Sequence, residues 1–133
     1  MSDPKTFGEL RREVREALIL RAGLSAAAAD DMELAVGELL SNVHEHAYRG
    51  DVGPMAVAVL RSRLAVSVLV LDHGNATMVP RVPAESPAPT SKGGRGLYLV
   101  GVLADRILMC VNKKTGGLTV RITKYFPLLA AAA

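Results

Sequence analysis

Three things are scarce in this 133-residue sequence: cysteine, aromatic side chains and long apolar runs. A single cysteine, Cys110, excludes an internal disulfide framework. Placed in the apolar run Arg106–Val111, it is expected to be a small buried hydrophobe. Three Tyr, two Phe and no Trp are too few for platforms that stack single strands. Sixteen Lys and Arg against 13 Asp and Glu leave a formal charge of +3. The cations are scattered (Arg11, Arg12, Arg61, Arg63, Lys113, Lys114) rather than gathered in one basic stripe, so direct nucleic-acid binding is not expected. No uncharged apolar run reaches the roughly 18 residues of a membrane span. The opening stretch, MSDPKTFGELRREVRE, is charged and helical in pattern, unlike a signal peptide. A cytoplasmic protein with one domain, residues 1–133, is the expectation.

What the chain does have is concentrated in Glu33–Gly50, ELAVGELLSNVHEHAYRG. Met32, Ala35, Val36, Leu39, Leu40, Val43 and Ala47 repeat at i, i+3, i+4, i+7, the rhythm of a helix burying one stripe. Glu38, Asn42 and His46 recur every four residues and line one edge of that stripe. A carboxylate, an amide and an imidazole on the border of a core need partners. Taken alone, the helix is equally an amphipathic one whose polar face begins there. His44 is expected to be solvated, and His46 to pack or hydrogen-bond rather than to ligate.

Around this helix the pattern predicts a first helix over about Thr6–Arg21, capped at Gly23, and a second from the N-cap Ser25 to about Tyr48. A turn at Gly50–Gly53 leads to a hairpin of Met55–Arg61 and Leu64–Leu71. Residues 75–91 carry prolines 80, 83, 87 and 89 without periodicity, a long loop of the kind that forms lids. A short helix, Gly94–Ala104, precedes strands Arg106–Val111 and Leu118–Phe126 around the turn Lys113–Gly117. The tail, Leu128–Ala133, has no pattern. This order predicts an α/β (α+β) two-layer sandwich, with helices on one face of a mixed, mostly antiparallel sheet.

Two turns carry possible chemistry. At Leu71-Asp72-His73-Gly74 a carboxylate emerges from a buried strand, able to accept from an exocyclic amine, and glycine permits close approach of a flat ring. His73 is placed to touch such a ligand from the strand end. Alone, D-x-G ends many strands and is weak. At Lys92-Gly93-Gly94-Arg95-Gly96-Leu97, glycines opening a helix free backbone N–H groups for an anion, though an isolated glycine cluster is as readily a hinge. It is neither a P-loop nor a dinucleotide-binding turn.

In combination, E-x-x-x-N-x-x-x-H-A-Y on a helix, D-x-G after a strand, a proline-rich lid and G-x-G-L opening a helix resemble the Bergerat (GHKL) ATP-binding fold. Within it the chain looks like the anti-sigma factor serine-protein kinases, from about Phe7 to Phe126. The likeness is nearest in ELAVGELLSNVHEHAYRGD and GGRGLYLV. The resemblance implies ATP or ADP with Mg²⁺ as ligands, Asn42 holding the Mg²⁺, and Glu38 as general base. It further implies that Asp72 fixes adenine, that Gly74 makes room for it, and that Lys92, Gly94, Arg95, Gly96 and Leu97 surround the phosphates. These residue types suit phosphoryl transfer, which needs positioning, charge neutralisation and one base.

The sequence departs from the family pattern in two places. Family members usually begin with a strand before the first helix; here about six residues precede it, so a four-stranded sheet is expected. A second glycine often follows D-x-G; here the run is DHGNA, and Asn75 is expected to take over the turn through positive φ. The implied function is an anti-sigma factor with serine-protein kinase activity, acting on a serine of a STAS-type antagonist, binding a sigma factor and forming a homodimer. The alternative is a nucleotide-binding switch module without kinase activity.

Overall fold

The computed structural model describes residues 1–88 and 95–127. Lys92, Gly93, Gly94 and the tail Leu128–Ala133 are not among these, so the expectations for those positions lie outside the described residues. A short 3₁₀ turn, Pro4–Thr6, leads into α1, Phe7–Glu16, which continues through a π-helical turn, Ala17–Arg21. Gly23, at φ 79°, ends it as expected, with Leu24 N–H donating to Leu18 O at 2.9 Å. Ser25 caps α2, Ala26–Asn42, its Oγ accepting from Ala28 N–H at 3.2 Å. A π-helical turn, Val43–Ala47, extends α2.

Four strands follow: β1, Met55–Arg61; β2, Ala65–Asp72; then α3, Arg95–Leu103; and β3, Arg106–Val111, with β4, Leu118–Tyr125. The sheet order is β1-β2-β4-β3, and every neighbouring pair is antiparallel. The crossover through α3 makes β2 and β3 run the same way, but β4 lies between them. That insertion is why the expected mixed sheet has no parallel pair among the described strands. The four-stranded expectation holds. Before α1, in place of a strand, Ser2 bonds to the Gly50–Gly53 turn: Ser2 N–H donates to Gly53 O, and Gly53 N–H to Ser2 Oγ, both at 2.8 Å.

The core lies between α2 and one face of the sheet. Met32, Ala35, Val36, Leu39, Leu40 and Val43 are buried, as their spacing required, against Val66, Val68, Val70, Val120 and Ile122. Full burial of a side chain of this size contributes about 1.5–3 kcal/mol. In the register, Val68 faces Ile122 and Val70 faces Val120, so the two central strands present a continuous β-branched floor. Lys124 binds the layers together, its Nζ donating to Leu103 O at 2.9 Å and to Asp31 at 3.4 Å. Arg15 of α1 similarly pairs with Asp30 and Glu33 of α2.

Helices cover one face of the sheet only, and this corrects the expectation for Cys110. Strand β3 lies at an edge and alternates, with Ile107, Met109 and Val111 partly buried and Arg106, Leu108 and Cys110 exposed. Cys110 is therefore an exposed thiol on the uncovered face. Its apolar neighbours in sequence point alternately to opposite sides, so the run did not mark a buried strand.

Candidate functional site

Helix α2, the ends of β2 and β4, and the start of α3 enclose a cavity of about 850 Å³, within the range of small-molecule sites. Val70, Met109, Leu118 and Val120 give it an apolar floor. Of the residues expected at a site, Glu38, Asn42, Asp72, Arg95, Gly96 and Leu97 all line this one cavity. The sequence separates them by almost sixty positions. The fold brings them together because the end of the central strand β2 lies beneath the polar edge of α2.

Asp72 closes β2 and is 8% exposed. Its Oδ1 accepts from Gly74 N–H at 2.9 Å and from Leu118 N–H at 3.2 Å. Two backbone donors therefore set the carboxylate's orientation. A carboxylate has further acceptor capacity beyond one doubly bonded oxygen, which is what recognition of an amine requires. The backbone around it is packed tightly. A Cβ on Gly117 would stand 2.0 Å from Asp72 O, and one on Gly116 would stand 2.8 Å from Gly74 O. The glycines of the β3–β4 turn thus seat that turn directly on D-H-G, a role their sequence position did not announce.

Gly74 itself does not line the cavity. A Cβ there would lie 2.8 Å from Ala47 Cβ and 2.9 Å from the Ala47 backbone, so its missing side chain lets the strand end abut α2. Asn75 does not take positive φ. Ala76 N–H instead donates to Gly116 O at 2.7 Å, and the chain leaves the strand by pairing with the neighbouring turn. His73 is exposed and outside the cavity wall; its N–H donates to Tyr48 Oη at 2.8 Å. Tyr48 also bonds Pro54 O, so the tyrosine of H-A-Y ties the end of α2 to both strand ends.

Glu38 and Asn42 form the other end of the cavity. Their neighbour is the first turn of α3: a Cβ on Gly96 would lie 2.8 Å from Glu38 Oε2 and 3.7 Å from Asn42 Oδ1. Glycine at this position is what lets the N-terminus of α3 approach both side chains. The N–H groups at a helix start carry partial positive charge, which favours an anion there. Arg95, partnered elsewhere in the structure, stands at the same end.

The histidines exchange their expected roles. His44 is half-buried, its Nδ1 bonded to Ser2 O at 3.0 Å and its ring edge-on to Phe7. Since a carbonyl accepts, Nδ1 carries the proton. His46 is exposed and lines the cavity, as does Arg49. The π-helical turn Val43–Ala47, which begins at the residue after Asn42 and contains His46, rotates the helix surface, which helical spacing alone did not reveal.

These residues fit a magnesium nucleotide. An anchored carboxylate above an apolar floor suits a purine. At the other end an amide oxygen and a carboxylate face a helix N-terminus, which suits phosphates with a hard cation. Among the described residues no helix is long and apolar enough to cross a membrane.

Comparison with known proteins agrees with this geometry. Residues 1–124 match the family model of the histidine kinase-like ATPase domain. The serine-protein kinases RsbW of Bacillus cereus (strain AH187) and Bacillus anthracis are each 30% identical to the chain over 113 residues, covering 79% of it and 69% of their own length. Among solved structures, the mycobacterial sensor histidine kinase MprB aligns with a TM-score of 0.54 at 16% identity, covering 89% of this chain and 94% of that one. The histidine kinase domain of the E. coli osmosensor EnvZ aligns at 0.52 and 18% identity, covering 90% and 88%. At those identities the structures speak for the fold. The chain belongs to the histidine kinase-like ATPase family, among the relatives of its serine-protein kinases.

Proposed function

We propose that this protein is an ATP-dependent serine-protein kinase that also acts as an anti-sigma factor. The observation that carries the reading is the placement of Glu38 and Asn42 together at the N-terminus of α3, across one cavity from the anchored Asp72. Similarity to the RsbW serine-protein kinases supports the acceptor type. In this reading Asp72 accepts from the adenine amine, and Asn42 offers a neutral oxygen to Mg²⁺. Held by Asn42, Mg²⁺ would supply neutralisation of phosphate charge. Arg95 and the N–H groups of Gly96 and Leu97 face the phosphates; the family resemblance assigns Lys92 and Gly94, which lie outside the described residues, to the phosphates as well. Glu38 takes the proton of the attacking serine hydroxyl. The serine Oγ–P bond forms, the β,γ-bridging bond breaks, and ADP leaves with the electron pair.

The acceptor is a serine on a STAS-type antagonist. A phosphate added there repels a surface that had bound it, releasing the kinase to hold its sigma factor. A homodimer in the cytoplasm completes the proposal. Glutamate in register with Asn42 favours an enzyme over a nucleotide switch without transfer, since a switch has no need of a base.

The test combines calorimetric titration of ATP, with and without Mg²⁺, with label transfer from γ-labelled ATP to an antagonist protein. Wild type is expected to bind in a Mg²⁺-dependent way. Asn42→Ala is expected to lose about 10–100-fold in affinity, the worth of a bond to a charged partner. Binding by wild type without transfer to any antagonist would leave the switch; no binding at all would overturn the nucleotide site.

A further inference from the structure

Arg49 ends the extended second helix in a conformation that arginine rarely adopts. Its φ is 51°, the sole positive value at a non-glycine position among the described residues. Gly50 follows at φ 89°, and its N–H donates to His44 O at 2.8 Å, closing the helix. Glycine or asparagine fills such a cap with little strain, whereas a long side chain there is crowded against its own carbonyl. Strained backbone at a non-glycine residue persists where the surrounding structure enforces it, and such residues cluster at ligand sites. Arg49 is exposed and is one of the residues that line the cavity of the candidate site.

Its place along the cavity follows from the glycine contacts. Gly96 backs onto Glu38 and Asn42, which marks the phosphate-facing end of α2; Gly74, two residues from Asp72, backs onto Ala47. Arg49 lies two residues beyond Ala47, at the Asp72 end. A cation at that end is remote from the phosphates. Its planar guanidinium is suited instead to a flat aromatic face, a contact that strengthens where the floor is apolar.

We propose that Arg49 is a base-binding residue: its guanidinium lies on the flat face of the bound purine while Asp72 holds the purine's edge. The assignment rests on the nucleotide reading given above. The left-handed backbone at Arg49 is the strain accepted for aiming that side chain into the cavity.

The experiment measures binding and stability together. Wild type, Arg49→Gly and Arg49→Lys are titrated with ADP and with adenosine, followed by protein NMR, and their thermal unfolding is recorded. Glycine relieves the backbone, so Arg49→Gly is expected to raise Tm by about 2–6 °C. Despite that, it is expected to bind ADP and adenosine more weakly by the same factor, about 5–10-fold. Arg49→Lys keeps the charge without the plane and is expected to fall between the two. Undiminished adenosine binding by Arg49→Gly overturns the proposal. So does a loss confined to ADP, which assigns the side chain to phosphate. Wild-type protein that binds neither ligand overturns the nucleotide reading together with this assignment, a result distinct from normal binding by the variant.

Discussion

At the Asp72 end of the cavity the backbone has already engaged the key carboxylate, whereas at the other end the side chains of Glu38 and Asn42 make no hydrogen bond among the described residues. Asp72 Oδ1 accepts from the N–H groups of Gly74 and Leu118, and three glycines press the surrounding turns together. Glu38 and Asn42 instead project from a helix toward the first turn of α3. One end is a property of the folded sheet, the other of two helices meeting. Recognition of a rigid base gains from a preformed end, because no ordering cost is left to binding. Phosphoryl transfer gains from polar groups that are not yet committed, since their interactions are then made with the reacting charge.

The comparison is broken most strongly at Glu38. On the proposed reading, Glu38→Gln lowers serine phosphorylation by about 10²–10⁴-fold, the range of a general base, while ATP affinity and Tm stay near wild type. Unchanged label transfer by this variant would remove Glu38 from the chemistry. Asp72→Ala is expected to behave in the opposite way. It leaves the Gly74 and Leu118 N–H groups without their acceptor, which costs about 2–4 kcal/mol of stability and weakens adenosine binding along with it. Denaturant unfolding at unchanged midpoint would show that the two backbone bonds are not what holds the turn. Gly96→Ala is the mildest of the three. The added methyl meets the tip of a flexible carboxylate, and alanine favours a helix, so Tm holds or rises. Displacing Glu38 by about 1 Å is nevertheless expected to lower transfer by about 10–100-fold. A drop in Tm without a drop in transfer would mean that Gly96 serves packing between α2 and α3 rather than the site.

Much of this was legible from residue order. The buried stripe of α2 was read from its period, and Ser25 and Gly23 from the chemistry of helix ends. The line Glu38–Asn42 reached the cavity because a helix repeats its faces at a known spacing, whatever packs against it. Arg49, Cys110, His44 and His46 were not legible. Arg49 enters the site through a left-handed residue after a π-helical turn, which shifts the register that spacing assumes. Cys110 is exposed because its strand lies at the edge of a sheet covered on one side, and strand order is a long-range property. His44 finds Ser2 and Phe7, two partners about forty residues away in sequence.

The glycines divide along the same line. Gly23 was assigned from its neighbours, since a left-handed cap is a local requirement. Gly74, Gly96 and Gly117 were visible as turn or helix-start residues, but what each makes room for was decided by the fold: Ala47, Glu38 and the Asp72 carbonyl. The sequence by itself determined which segments form helices and strands and which polar residues share a helix edge, because those follow from dihedral preferences and period. The tertiary structure alone decided that Asp72 is pinned by Leu118, that Gly74 serves helix packing, and that Arg49 reaches the cavity. Each depends on contacts between segments far apart in the chain, which close packing selects and local preference does not.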